Sequence, residues 1–113
     1  MKFVNFEDIP GRTPPKHYDL LGRAVVDESD GTTFKVSYTR MDKTGRCDLH
    51  THDEAEQLFI ILKGKMMFKT KDREFTLEPG QAVLVHRGED HCNWNIAEDG
   101  NTEYLTVTSI PKS

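Results

Sequence analysis

Three of the five histidines in the chain are spaced so that they could bind a metal ion. His50 and His52 are two residues apart, so on a β-strand both imidazoles project from one face while Thr51 points to the other. His91 lies in a separate segment, directly after the Gly-Glu-Asp sequence at residues 88–90. Imidazole nitrogens bind Zn, Ni, Cu and Fe, and three histidines with one further donor leave positions open for water or substrate.

The elements that carry these histidines are predicted to be β-strands. Runs rich in Val, Ile, Thr, Phe and Tyr recur about every 8 to 12 residues between turn signals, which is typical of a sandwich or barrel. No segment has a convincing helical periodicity. The pattern predicts an all-β fold with strands at residues 22–28, 32–41, 48–52, 57–63, 65–70, 73–78, 82–87, 91–96 and 103–110.

Two of these segments indicate which side chains are buried. In segment 32–41, alternation places four residues on one face that we expect to be buried: Phe34, Val36, Tyr38 and Arg40. Segment 57–63 is apolar on both faces, which predicts a central strand that is covered on both sides, either by the protein itself or by a dimer partner.

The length of 113 residues predicts one domain. Four residues that disfavour regular structure, Pro10, Gly11, Pro14 and Pro15, lie in residues 1–21, which we interpret as an extended N-terminal lead-in that could pack on a dimer partner. His17, within this segment, is expected to be exposed. Residues 22–113 are predicted to form the barrel domain.

Composition excludes several classes of partner. The net charge of −4 gives no basic surface for nucleic acid or for an anionic membrane. The longest apolar run, Leu58 to Leu62, is far shorter than the ~20 residues that span a membrane. Two cysteines, Cys47 and Cys92, are too few for a disulfide framework, and with no signal peptide visible they favour a cytoplasmic protein with free thiols.

The histidines lie within two segments that resemble the sequence motifs of the cupin superfamily. The first is His50-Thr51-His52, four residues, Gln57, six residues and Gly64. The second is Gly80, five residues, His86-Arg87-Gly88-Glu89-Asp90-His91, three residues and Asn95. The resemblance implies a double-stranded β-helix, or jelly roll, with a metal held inside one end of the barrel. Small cupins of this kind are commonly homodimers, so the resemblance also implies a homodimer here.

The resemblance also defines the fourth ligand position, where most cupins have glutamate. Counted back from Gly64 this position is Gln57, whereas counting forward from His52 leaves Glu56 as the alternative. Only one of the two can face inward on a strand, and we favour Gln57 because it is in phase with the apolar Phe59. Some small cupins use glutamine here, including a type that opens unsaturated uronate sugars. Three imidazoles and an amide are neutral, so the metal would keep its full +2 charge and act as a strong Lewis acid.

These features predict a metal-dependent cupin enzyme with His50, His52, Gln57 and His91 as ligands of one divalent ion, Zn, Ni, Mn or Fe. Its substrate would be a small oxygenated metabolite (a sugar, uronate or keto acid) undergoing isomerisation, ring opening or lyase chemistry. Tyr38 is a candidate general acid and Arg40 a candidate carboxylate-binding residue, although a packed tyrosine and a surface ion pair are the simpler interpretations. The alternatives are an iron-dependent dioxygenase and a non-enzymatic module that binds a metal or small molecule.

Overall fold

The computed structural model describes residues 1–111, so residues 112 and 113 of the predicted barrel domain lie outside the described part of the chain. The described residues form eight strands and two short 3-10 turns. The strands are β1 (His17–Val26), β2 (Phe34–Cys47), β3 (Gln57–Lys63), β4 (Met66–Thr70), β5 (Glu74–Leu77), β6 (Ala82–Val85), β7 (His91–Asn95) and β8 (Thr102–Ser109). The turns are η1 (Phe6–Asp8) and η2 (Glu28–Asp30). Within residues 1–111 we find no helix that is long and apolar enough to span a membrane.

The strands form one antiparallel, nearly closed sheet. Their order is β5-β4-β7-β2-β8-β3-β6, and β1 pairs with β2 outside this path. Strand β3 lies between β8 and β6, so its predicted central position is confirmed. The arrangement confirms the predicted all-β jelly-roll barrel.

Two strand predictions were wrong in ways that matter for the site. Strand β1 begins at His17, five residues before the predicted start at residue 22, so part of the lead-in belongs to the sheet. Residues 48–52 do not form a strand; His50 instead makes an isolated bridge to His91, with two backbone hydrogen bonds of 2.9 and 3.0 Å. The neighbouring residues have no ladder partner because the chain enters the turn that contains Asp53 and Glu54.

The predicted buried face of β2 was also wrong. Within the predicted segment 32–41 neither Thr39 nor its neighbour Arg40 behaves as expected: Thr39 is 6% exposed, whereas Phe34 and Arg40 are exposed, and the following Met41 is 0% exposed. The inward side of β2 borders a polar cavity, so hydroxyl side chains face inward there. The apolar residues of the opposite face are covered by other means, as where the Tyr38 ring stacks on Phe6 of the lead-in at 4.5 Å.

The barrel interior is divided between this cavity and a packed core. Along β3, Gln57 and Phe59 line the cavity, and Ile61, two residues further on the same face, is 1% exposed in the core. The core therefore fills one part of the barrel and supports the cavity in the other. Its buried residues are Leu20, Met41, Phe59, Ile61, Met66, Phe68, Leu77, Val85 and Tyr104.

Candidate metal centre

Three imidazoles from two distant segments form one cluster inside the barrel. His50, His52 and His91 each offer a nitrogen, and the three nitrogens lie within 4.8 Å of one another. The ring centroids of His50 are 4.3 Å from those of His91 and 5.0 Å from those of His52. Nitrogens grouped this closely could converge on a single metal ion.

The positions of these imidazoles are fixed by packing and by hydrogen bonds. His91, the first residue of β7, is 1% exposed and packs against Phe59 and Phe68, with centroid distances of 5.6 and 5.8 Å. The Nδ1 atom of His50 lies 2.7 Å from the carbonyl oxygen of Asp48. Because a carbonyl oxygen only accepts, Nδ1 carries the proton and Nε2 of His50 keeps the lone pair that a metal needs.

The surroundings favour neutral imidazoles. Burial, together with the nearby His50 and His52, lowers the pKa of His91 to about 4. The pKa of His52 is also lowered, mainly by burial and secondly by His50. A neutral ring is the form of histidine that binds metals, so the lowered pKa values of His52 and His91 favour their ligand state at neutral pH.

Gln57 brings an amide oxygen to the same cavity. It is the first residue of β3, and its Nε2 atom donates a 3.2 Å hydrogen bond to Oγ1 of Thr108 on the neighbouring β8. Its Oε1 atom is buried and has no hydrogen-bond partner among the described residues, as is also true of Nδ1 of His91. Unpaired buried polar atoms are costly, and a cation would satisfy the amide oxygen. The residues present therefore fit a divalent metal ion.

The alternative fourth ligand, Glu56, points away from the cluster. Its two carboxylate oxygens lie 3.6 Å from Nη2 of Arg87 and 3.9 Å from Nδ1 of His86, and its side chain is 42% exposed. Strand alternation at the start of β3 places Glu56 outside and Gln57 inside. Gln57 thus lines the same cavity as the three histidines, whereas Glu56 does not.

The two candidates for substrate chemistry, Tyr38 and Arg40, are not brought to the cavity. The Tyr38 hydroxyl donates a hydrogen bond to the Glu103 carboxylate, which together with burial raises the pKa of Tyr38 to about 12. Arg40 is exposed and pairs in register with Glu103 across β2 and β8. Both residues lie on the outer face because the inward face of β2 is the opposite one to that predicted. Tyr38 is therefore a packed tyrosine, whereas Arg40 forms none of the salt bridges found within residues 1–111.

The cavity has a volume of about 470 Å³ and two chemically different walls. Hydroxyl groups from β2 and β8 line one part, and apolar side chains from β1 and β3 line another. Such a pocket is large enough for a small metabolite that has both polar and apolar surfaces. The hydroxyl residues are Ser37, Thr39, Thr106 and Thr108, and the apolar residues are Leu20, Ala24, Val26 and Phe59.

Sequence reasoning missed the contribution of the N-terminal segment to this cavity. His17, expected to be exposed, is half-buried, and its ring centroid lies 5.5 Å from that of His50. Its Nδ1 atom donates to the carbonyl oxygen of Pro15 at 2.7 Å. Two nearby residues, Lys16 and Asp19, have positive φ angles of 63° and 54°. This backbone bend turns the segment over the barrel. The prolines of this N-terminal segment led to its prediction as a loop, and no local sequence pattern indicated where on the barrel the segment would lie.

Comparison with known proteins agrees with this geometry. The sequence profile of the cupin domain family matches residues 37–108, well over half of the chain. The chain belongs to the cupin family. One curated relative, the uncharacterized protein YdbB of Bacillus subtilis, is 35% identical over 49 residues, a match that covers 42% of this chain and 43% of YdbB. The matched part therefore spans less than half the length of that relative.

Solved structures show the same barrel over almost the whole chain. The polyketide cyclase RemF from Streptomyces resistomycificus is 26% identical, with a TM-score of 0.83 and coverage of 96% of this chain and 79% of RemF. A sugar phosphate isomerase of the cupin superfamily from Silicibacter pomeroyi is 16% identical, with a TM-score of 0.81 and coverage of 96% and 75%. The second likeness concerns the fold alone. Cupins with this barrel thus include enzymes of different reaction classes.

Proposed function

We propose that this cupin is a metal-dependent enzyme that acts on a small oxygenated metabolite such as a sugar, uronate or keto acid. The ligands of its divalent ion, Zn, Ni, Mn or Fe, would be His50, His52, Gln57 and His91. When bound, the metal would act as a Lewis acid that polarises a substrate carbonyl or hydroxyl, the chemistry of isomerisation, ring opening and lyase reactions. The observation that carries the proposal is the convergence of three imidazoles and one unpaired amide oxygen in a single cavity.

The protein groups around this site have roles that are independent of the identity of the metal. The Asp48 carbonyl holds the His50 ring in one tautomer, and the Thr108 hydroxyl holds the Gln57 amide with its oxygen inward. Phe59 and Phe68 shield His91 from water, which strengthens electrostatic interactions within the cavity. The walls of the cavity would orient the substrate through hydroxyl groups on one side and apolar contacts on the other.

The likeness to RemF supports the enzymatic interpretation over a purely binding role, because RemF is a cyclase and shares the barrel over 96% of this chain. The cellular setting is part of the same proposal. Cys47 and Cys92 are both free thiols, which suits a reducing cytoplasm. A second copy of the chain is the proposed partner.

Elemental analysis of purified, untagged protein tests the metal centre directly. We expect about one equivalent of a transition metal per chain in the wild-type protein and a large loss in His52→Ala, whose half-buried position makes it less disruptive than a change at the buried His91. The matched control is Glu56→Gln, which alters an outward-facing side chain and should keep its metal. A wild-type protein that binds no metal even after reconstitution contradicts the proposal.

Turnover assays then separate the proposed chemistry from its alternatives. Zn- and Fe-loaded protein should both convert a substrate from a panel of sugars, uronates and keto acids without consuming oxygen. Oxygen consumption with iron only would favour a dioxygenase instead. A compound that raises the melting temperature yet is recovered unchanged after long incubation would favour a binding module.

A further inference from the structure

The cavity of the proposed enzyme is positively charged although the chain as a whole is negative. The protein has 15 basic and 19 acidic residues, giving a net charge of −4. Two of the basic residues, Arg12 and Lys35, line the cavity, against a single carboxylate, that of Asp27. The proposed metal ligands are neutral and would leave the charge of the ion uncompensated. An excess of positive charge in a cavity attracts anions and raises their local concentration.

Lys35 lies in the same cross-strand row as the proposed ligand Gln57. In the sheet, Lys35 of β2 is opposite Thr108 of β8, and Thr108 is opposite Gln57 of β3. Residues opposite one another in antiparallel strands have side chains on the same face, about 5 Å apart at Cβ. The Lys35 side chain therefore rises from the cavity side of β2, two strands from the metal site. Its charge also contributes to lowering the pKa of His52.

Arg12 enters the cavity from the N-terminal segment. Its backbone forms a bridge with Gly22 of β1, with hydrogen bonds of 2.8 and 3.0 Å. Gly22 has no side chain to occupy the space next to Arg12, and it pairs in register with Thr39, which also lines the cavity. The N-terminal segment, whose contribution to the cavity was not predicted from the sequence, thus supplies a cation to the site.

Neither cation is neutralised by the rest of the cavity. Within residues 1–111, Arg12 and Lys35 form no ion pair; the salt bridges there involve other side chains. The carboxylate of Asp27 is engaged locally, since its Oδ1 atom accepts hydrogen bonds from the backbone N–H and the hydroxyl of Ser29 at the start of η2. Two exposed cations facing a cavity lined by a single carboxylate leave an excess of positive charge, which is typical of an anion-binding site.

We propose that Lys35 and Arg12 form a subsite that binds the anionic group of the substrate, a carboxylate or a phosphate ester, next to the metal centre. This inference rests on the proposed function and narrows its substrate class from oxygenated metabolites in general to small organic anions. The apolar wall formed by Leu20, Ala24 and Val26 would contact the carbon skeleton, while the anion faces the two cations. Neutral sugars would lack this contact and bind more weakly.

Calorimetric titration of the metal-loaded protein with three related sugars tests the subsite. D-galactose, D-galacturonate and D-galactose 6-phosphate share a ring and differ at C6, where they carry a hydroxymethyl group, a carboxylate and a phosphate ester. We expect both anions, or the one that matches the natural substrate, to bind at least about tenfold more tightly than galactose, as charge-assisted hydrogen bonds do. The tighter of the two anions identifies the chemistry of the natural substrate.

Variants locate the source of this preference. Lys35→Met and Arg12→Gln should each reduce the preference for the anion several-fold, and the double variant should remove it, with galactose affinity unchanged. The matched controls are Lys43→Met, an exposed lysine further along β2, and Arg73→Gln, which lies over the Phe75 ring; both lie outside the cavity lining and should behave as wild type.

Three outcomes would overturn the inference: equal affinity for all three sugars, no binding of either anion, or a preference that survives in the double variant. In the last case the metal alone would attract the anion. The metal content of every sample is measured in parallel. A full metal site without the anion preference contradicts only the subsite, whereas a protein that holds no metal contradicts the proposed function.

Discussion

A single amide decides the electrostatic character of the proposed metal centre. With Gln57 facing inward and Glu56 paired to Arg87 outside, the cluster has no carboxylate among its four proposed ligands. A carboxylate would cancel part of the charge of the metal, so the glutamine favours Lewis-acid chemistry and anion binding in the same cavity. The positive charge at Lys35 and Arg12 acts in the same direction.

Removing the side chain of Gln57 or of Glu56 should have clearly different effects on metal binding. Gln57→Ala should weaken metal binding about 10- to 100-fold, the range seen when groups that shape a metal site are removed, because Oε1 is lost while the three histidines remain. Glu56→Ala should leave the affinity within a factor of about two of wild type, since Glu56 makes only exposed ion pairs. Competition with a fluorescent zinc chelator measures both dissociation constants. The reverse ranking would make Glu56 the ligand.

The two cysteines should differ strongly in reactivity. Burial raises the pKa of the Cys47 thiol to about 11, and its Sγ atom is hydrogen-bonded to the buried Asn93. At pH 8 only roughly a thousandth of Cys47 is thiolate, the reactive form. Iodoacetamide should therefore modify the more exposed Cys92 first, and Cys47 at least about 100-fold more slowly until the protein is unfolded. Mass spectrometry of time points follows both sites, with Cys92→Ser as the control. Equal rates in the native protein would show that the interior around Cys47 opens readily.

At the scale of strands and loops, alternation predicted where most strands lie but not which face is buried in every case. Segment 57–63 was predicted correctly because both its faces are apolar. In β2 the rule that apolar side chains point inward failed, since Thr39 faces a polar cavity and Tyr38 is covered by Phe6 from outside. The loop that carries His50 and His52 was predicted as a strand because its residue spacing suits either structure.

Two motif glycines at strand ends provide a matched test of backbone strain. Gly64 and Gly80 have positive φ angles of 89° and 85°. A Cβ atom at Gly64 would lie 2.5 to 2.8 Å from atoms of Asn101 and Thr102, whereas at Gly80 it would meet nothing within 4 Å. Gly80→Ala should lower the free energy of unfolding by about 1–2 kcal/mol, the conformational cost alone. Gly64→Ala should cost at least about 1–3 kcal/mol more, because backbone atoms must move.

Urea denaturation of the two variants under identical metal loading measures this difference. Equal destabilisation would mean that the β8 segment around Thr102 relaxes without cost. Such relaxation is opposed by the Thr102 hydroxyl, which accepts from the backbone N–H of Lys65 at 3.1 Å and lies 2.7 Å from Oδ1 of Asn95. Asn95, the last residue of the second cupin motif, thus helps to hold the turn that contains Gly64, the last residue of the first motif.

At the scale of the whole molecule, the barrel and the histidine cluster could be predicted, but the cavity could not. Local periodicity and the two motifs are sufficient for most of the strands and for the choice of His50, His52 and His91, since both are encoded in short segments. The roles of Arg12 and His17 depend on where a proline-rich segment crosses the barrel. That path is set by contacts between distant residues, such as the bridge to Gly22 and the packing of Phe6 on Tyr38, which no local pattern records.

The predicted homodimer would need an apolar surface on the outside of the barrel. On the outer face of the barrel, Leu62 of β3 and Leu84 of β6 are 46% and 48% exposed, and Leu84 pairs in register with Leu58. Strand β6 is the last strand of the sheet path, so this apolar surface lies beside an edge that a second copy can approach. A two-fold axis would place the same leucines of both copies together.

Leu84→Lys therefore introduces two like charges into such an interface and should convert the dimer to a 13.0 kDa monomer. Leu21→Lys is the matched control: Leu21 is 46% exposed, but it lies on β1, which pairs only with β2, away from this surface. Light scattering coupled to size-exclusion chromatography measures the mass of each variant. A monomeric wild-type protein, or dissociation by Leu21→Lys but not by Leu84→Lys, would contradict this interface. Because neither leucine lines the cavity, metal content should be equal in all three proteins, which separates assembly from the chemistry of the site.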